Sequence, residues 1–223
     1  MTTDKPLVPE TELINRTAGL QKALDAKGLA GALIVEKTDF FYYAGTSQQG
    51  WLFIPVSGEP LLMLFKDYDR GCSESALKNV IAVNGTRELS ERIIDYFHVL
   101  PDRLGMELDV LPVNNYRQYC KLFPEAEIED ISIDIRLQRG VKSQYEIEKI
   151  RAAAHGSDLV AARAAELISV GKQDVQLAGE LEAYARSLGH QGLVRMRMWG
   201  SELYWGHLMS GDAAAKPSYL ASP

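Results

Sequence analysis

The chain has little of what would carry it into a membrane, onto a nucleic acid or into a disulfide framework. Cysteine occurs only twice in 223 residues, at Cys72 and Cys120. Without the paired spacing of a metal site, both read as reduced packing residues. Basic charge is also short: 24 Lys and Arg against 30 Asp and Glu give a formal net charge of −6. A nucleic-acid binder needs a basic stripe that displaces counterions from phosphates, and no stripe of that size occurs, so no nucleic-acid partner is expected. No apolar run approaches the length of a membrane span, and the opening "MTTDKPLVPE" lacks the basic and apolar regions of a secretory signal. These absences predict a cytoplasmic protein with no membrane partner. What is present is ordinary for a folded chain: 46% hydrophobic and 24% charged residues, in a length that suits one large domain or two small ones.

The first part alternates short apolar runs with helical periods. Leu13, Thr17, Leu20 and Leu24 share one face of a helix that stops near Gly28. "LAGALIV" then reads as a buried strand, and "WLFIPV" and "PLLMLF" read as a hairpin joined by Ser57, Gly58 and Glu59. "NVIAV" is a further strand, followed by a helix carrying Leu89, Ile93 and Phe97. "RLGMEL" reads as a strand, and "VNNYRQYCKLF" as a helix with Val113, Tyr116, Cys120 and Phe123 on one side; "AEIEDIS" closes the series as a strand. Strands interleaved with helices predict an α/β domain with a mixed sheet flanked by helices.

The character changes at "LQRGVKSQYEIEKIRAAAH". Ser143 and Glu146 form a capping-box pattern, and the helix that follows carries Ile147, Ile150, Ala154, Ala161, Ala164 and Ile168 as its apolar stripe, with Gly171 as its left-handed stop. A second helix runs from about Asp174 to Ser187, with Leu177, Leu181 and Tyr184 on one stripe and Gly189 after it. In "LVRMRMWGSELYWGH", Arg195 and Arg197 alternate with Met196 and Met198 at the period of a strand with one wet face, a reading preferred to bidentate recognition of a substrate carboxylate. The closing "SGDAAAKPSYLASP" is small, polar and turn-like. Two helices and one or two strands bury too little to stand alone, so residues 139–223 read as the opening of a larger domain and residues 1–138 as a domain of their own.

The order "DFFYYAGTS", "WLFIPVSGEPLLML", "LGMELDVLPVNNYRQY", "IRLQRGVKSQYEIEKIRAAA" and "ISVGKQDVQLAGELEAYARSLG" resembles the creatinase and Xaa-Pro peptidase family, the M24 metallopeptidases. The resemblance covers nearly the whole chain. It implies a creatinase-like α/β amino-terminal domain, followed by the first, truncated part of an α+β "pita-bread" catalytic domain. It also implies hydrolysis of peptide bonds next to proline, a proline-containing peptide as substrate, a homodimer, and two divalent ions, manganese, cobalt or zinc. A pair of hard cations needs several anionic oxygens to generate hydroxide and polarise the scissile carbonyl. In the family these come from two aspartates, a histidine and two glutamates. Here Asp158, Asp174, Glu166, Glu180 and Glu182 belong to the two helices and Asp212 has no acidic partner after it, so by order along the pattern all five ligands are expected beyond Pro223. The chain alone is therefore expected to bind no metal and to be inactive. A creatinase-like amidinohydrolase and a noncatalytic creatinase-fold assembly module are the alternatives.

His207, in "WGHLMSG", is the one candidate catalytic residue, a substrate-site histidine by the same resemblance, although Gly206 and Gly211 suit a plain loop. Phe40, Tyr42, Tyr43 and Trp51 flank "GTSQQG", a loop that in relatives approaches a neighbouring subunit; core or interface packing is the preferred reading. His155 and His190 read as solvated, and His98 as a residue suited to a helix carboxyl terminus.

Overall fold

Six strands make the central sheet. In chain order the first elements are Glu10–Lys27 (α1), Gly31–Ile34 (β1), Lys37–Ala44 (α2), Gly50–Pro55 (β2), Leu61–Leu64 (β3), Tyr68–Glu74 (α3), Val80–Ala82 (β4), Leu89–Phe97 (α4), Arg103–Met106 (β5), Val113–Leu122 (α5), Glu127–Asp130 (β6) and Ser132–Gly140 (α6). The sheet order is β4-β3-β2-β1-β5-β6. β1–β2 and the hairpin pair β2–β3 are antiparallel, whereas β3–β4, β1–β5 and β5–β6 are parallel. The computed structural model describes residues 7–200 and 202–216; the opening "MTTDKP" and the last seven residues of the polar tail lie outside these.

Both faces of the sheet are covered, which explains why its middle strands are apolar at every position. Ala32, Ile34, Leu52, Ile54, Leu62 and Leu64 enter a core with Leu20 and Leu24 of α1, Phe40 and Tyr43 of α2 and Ile135 of α6. The alternate residues Leu33, Trp51, Phe53, Leu61 and Met63 enter a second core with Leu89 and Ile93 of α4, Tyr119 of α5 and Phe123. The period of two along each strand thus sorts side chains between two helical layers. Inside the second core the Trp51 indole Nε1 donates to the Tyr119 hydroxyl at 2.8 Å.

The chain divides into two units, Met1–Val141 with Arg197–Trp199, and Lys142–Met196 with Gly200–Pro223. The second holds Gln144–Leu167 (α7), Asp174–Ser187 (α8), Leu193–Arg195 (β7), Glu202–Tyr204 (β8) and Gly211–Ala215 (α9). The Ser143 Oγ accepts from Glu146 N at 3.2 Å while Glu146 Oε2 accepts from Ser143 N at 2.9 Å, the reciprocal capping box that the sequence predicts. α7 packs on α8 and β7 pairs antiparallel with β8. Among the described residues of this unit, Ala185 is the one buried apolar side chain, and Ile150, Val175, Val194, Leu203 and Tyr204 are exposed.

Several expectations change in detail. Helices α2, α3 and α6 are absent from the sequence reading, which left the aromatics of "DFFYYAG" beside a strand. α2 is short and aromatic, so its periodicity is weak; what defines it is a cap at each end, Glu36 before it and Gly45 after it at φ 72°. On α5 the buried side chain is Tyr119, with Phe123 just beyond it, whereas Val113 is exposed. Gly171 does take a left-handed φ of 88°, but α7 ends earlier, at Leu167. The strand period of "LVRMRM" stops at Arg195, and Arg197, which belongs to the first unit, pairs with Asp39 and Asp109 of that unit.

Candidate functional site

The ends of β1 and β5 bring three carboxyl groups together. These strands run parallel, with Gly31 beside Leu104 and Ala32 beside Gly105, so Val35 and Glu36 leave one strand where Glu107 leaves the other. The Glu107 carboxyl accepts from Val35 N at 3.1 and 3.2 Å and from Glu36 N at 3.2 Å, which ties the two strand ends together beyond the last ladder bond. Glu36 accepts from Thr38 N at 2.8 Å and Asp39 N at 3.0 Å and so starts α2. That start turns Asp39 inward, where it is fully buried.

Two guanidinium groups meet Asp39. Arg139 Nη1 donates to Oδ1 at 2.5 Å and Arg197 Nε donates to Oδ2 at 2.7 Å. Arg197 Nη1 also donates to Asp109 at 2.7 Å. Burial opposes the charge on Arg197, but the bonds and fields of Asp109 and Asp39 outweigh it and raise its pKa. Burial likewise works to raise Asp109, yet Arg197, Ser132 and Arg136 hold it below the ordinary value. Glu107 behaves oppositely: burial, reinforced by the charge of Asp39, pushes its carboxyl up to about 8 against the pull of its backbone donors. Burial also raises Glu36, despite the amides it caps. The aromatics are part of the same packing. The Arg16 guanidinium lies 4.1 Å from the Tyr42 ring centroid, and the Tyr43 hydroxyl donates to Gln138 Oε1 at 2.8 Å.

A buried acid titrating near neutrality often marks catalysis. Here geometry decides against it. Both oxygens of Glu107 face backbone amides, and the residue is 1% exposed, so no substrate atom can reach the proton. The cluster joins β1, β5, α2 and α6 as structural cement. Its oxygens are committed to N–H donors and so do not fit a metal pair. Among the described residues no group of three or more His, Cys, Asp or Glu is placed to hold a metal ion.

The residues singled out in the sequence do not converge on one site. His207 is exposed in the segment between β8 and α9. Asp158 and Glu166 lie on α7, where Glu166 pairs with Arg163 at 2.6 Å; Glu180 on α8 pairs with Lys172 at 2.9 Å. Asp174 begins α8, Glu182 lies further along it, and Asp212 sits on the short α9. His155 is exposed on α7, and His98 caps α4 at φ 62°. His190, read as merely solvated, also accepts from Gly192 N at 2.8 Å through Nδ1 and stacks with Trp205, ring centroids 4.5 Å apart. Arg197 is not the wet-face residue expected, since its side chain is only 12% exposed; Arg195 does stay on β7, beside Glu202 at 3.7 Å. Asp39, Glu36 and Glu107 were missed. The signal available was an acidic residue directly after each of two apolar strands, where a bare strand end needs acceptors for its next amides.

The first unit is thus a three-layer α/β domain, with a mixed six-stranded sheet between helices. The chain belongs to the creatinase/prolidase N-terminal domain family, whose description matches residues 16–141. Its sequence is 26% identical to the Xaa-Pro dipeptidase of Pyrococcus furiosus over 213 residues, 93% of this chain and 56% of the relative. The structure of an Xaa-Pro dipeptidase from Bacillus anthracis is similar with a TM-score of 0.72 at 20% identity, over 80% of this chain and 50% of that one. The prolidase from Pyrococcus horikoshii OT3 gives 0.70 at 21% identity, over 81% of this chain and 52% of that one. The chain therefore spans about half the length of the relatives it matches. No helix among the described residues is long and apolar enough to cross a membrane.

Proposed function

We propose that this chain supplies the amino-terminal domain, residues 1–138, and the first part of the catalytic domain, residues 139–223, of an Xaa-Pro peptidase that cleaves bonds next to proline. The observation that carries this reading is the extent of the likeness to the Pyrococcus furiosus Xaa-Pro dipeptidase. At 213 residues, it runs well past the matched domain at residues 16–141. In this reading the enzyme is cytoplasmic and homodimeric and uses two divalent ions, manganese, cobalt or zinc. Their ligands are residues other than those described here, because the carboxylates present are dispersed on helices or bound to N–H donors. The chain by itself is then inactive. His207 keeps, within the same proposal, the role of a substrate-facing histidine.

The test is an assay of the 223-residue chain on an Xaa-Pro dipeptide with each of the three metals, together with metal analysis after dialysis. The expected result is no proline release and substoichiometric metal. Metal-dependent turnover would show that the hydrolytic centre is built from these residues and would overturn the proposal. Reading the coding sequence after codon 223 is the complementary test: two aspartates, a histidine and two glutamates in family order support the peptidase, and their absence overturns it.

A further inference from the structure

The connection between β4 and α4 begins Val83-Asn84-Gly85-Thr86. Asn84 is exposed, and Gly85 takes φ 149°, a conformation that residues with a side chain rarely adopt. The Gly85 N–H has no hydrogen-bond partner among the described residues. No atom beyond its chain neighbours lies within 4 Å of the place where a Cβ would stand. An asparagine amide reacts most readily with the next backbone nitrogen where that nitrogen is free, unhindered and wet, and the three conditions meet here. Asn84 is also the one of five asparagines that precedes a glycine. Asn15, Asn114 and Asn115 lie on α1 and α5, and Asn79 precedes the β-branched Val80 and donates through Nδ2 to Pro60 O at 3.2 Å.

One contact opposes the reaction. Across the single turn of 3-10 helix at Thr86–Glu88, Asn84 Nδ2 donates to Glu88 Oε1 at 2.7 Å. That bond is the first cause holding the Glu88 carboxyl below its ordinary value. An amide bound to a carboxylate is held in one rotamer. Its nitrogen is also the poorer leaving group, since ammonia departs by gaining a proton and the carboxylate draws on the protons already there. The residue before the pair is anchored as well: Val83 is 4% exposed, and its N–H donates to Leu64 O at 2.8 Å.

We propose that Asn84-Gly85 is a site of spontaneous modification through a succinimide, restrained by Glu88. Gly85 N gives its proton to water and bonds to Asn84 Cγ; the Cγ–Nδ2 bond breaks and ammonia leaves. Water then opens the ring at Cγ, which yields aspartate, or at the Asn84 backbone carbonyl, which yields isoaspartate and adds one carbon to the path of the chain. No oxidant or reductant takes part. Either product sets a carboxylate where an amide donated to Glu88, so a hydrogen bond gives way to like-charge repulsion one residue from the buried Val83. The change is one-way and loosens the join of β4 to α4. It is independent of the peptidase reading, since it concerns the first unit alone and its test does not use turnover.

The experiment incubates the full chain for several days in warm, mildly alkaline buffer and digests it with trypsin, beside a synthetic peptide of the tryptic sequence Asn79–Arg87. Fragmentation mass spectrometry should place a gain of one mass unit at Asn84 and not at Asn79, and methyl transfer by an isoaspartyl carboxyl methyltransferase should mark the isoaspartate. Asn84→Gln, which would need a six-membered ring, should abolish the conversion. Glu88→Ala should speed it about two- to tenfold, the worth of one hydrogen bond, with the dispersed amide spectrum showing that the fold is kept. Exchange of the Val83 amide should quicken in the converted chain by about the same factor. An Asn84 still intact when the peptide has fully converted would overturn the site. A rate unchanged or lowered by Glu88→Ala would overturn the restraint, and unchanged Val83 exchange would overturn the loosening.

Discussion

Replacing Glu107 with glutamine isolates the ionisation of a buried carboxyl from its hydrogen bonds. Glu107 Oε1 accepts from Val35 N and Glu36 N, and a glutamine carbonyl placed there keeps both partners while losing the second acceptor for Val35. That loss costs about 1–3 kcal/mol. The carboxyl titrates at about 8 when folded against an ordinary 4.5, so the folded state holds the proton more tightly. Its stabilising contribution is full below pH 4.5 and is lost as pH rises through 8. The slope for one proton is about 1.4 kcal/mol per pH unit, or about 2.7 kcal/mol between pH 5.5 and 7.5. Glu36 and Asp109 titrate in both proteins and cancel in the difference. Glu107→Gln should therefore be clearly destabilising at pH 5.5 and close to neutral, or stabilising, at pH 7.5. Urea unfolding across that range measures it, with exchange of the Leu33 and Leu104 amides as a readout of the first unit alone. A stability difference that stays constant with pH would refute the reasoning. It would mean that the amide donors keep Glu107 ionised in the folded protein throughout.

Tyr119→Phe removes the acceptor of a fully packed indole and should cost about 1–3 kcal/mol in urea unfolding; a change within experimental error would mean that Trp51 finds another partner. Gly105→Ala places a Cβ 2.7 Å from Ile131 Cγ2 in the core and should cost about 1–3 kcal/mol, read as a lowered Tm. The exposed apolar side chains of α7, β7 and β8 should make the chain self-associate, and sedimentation at several concentrations should show a dimer or larger species that Trp199→Gln with Trp205→Gln weakens. A strictly monomeric chain at high concentration would count against this surface as the interface.

The parts of the fold legible in the residues were those with a strong period. Alternating Leu, Phe, Ile and Met in "WLFIPV" and "PLLMLF" can bury both faces only as strands, and Ser57, Gly58 and Glu59 between them permit only a short turn. The box of Ser143 and Glu146 likewise marks the start of α7 by local hydrogen bonding alone. α2 and α6 were not legible, because eight or nine residues carry too little period to separate a helix from a loop. Their ends are set by acceptors, and one of these, Asp130 Oδ1 bound to Ser132 N at 2.9 Å, is a side chain whose role needs the turn already formed.

What the sequence by itself determined was the class of domain and its family resemblance, since strand and helix periods and their order are local properties that survive without knowledge of contacts. Tertiary structure alone decided where the charges go. Glu36, Asp39, Glu107, Asp109, Arg139 and Arg197 are spread over more than 150 residues of chain, with Arg197 bonded to Asp39 at a separation of 158. Apart from the places of Glu36 and Glu107 at the ends of apolar runs, nothing local distinguishes them from solvated charges. Only the parallel pairing of β1 with β5 places three of these carboxyls in one buried volume, where desolvation makes each need a donor or a proton.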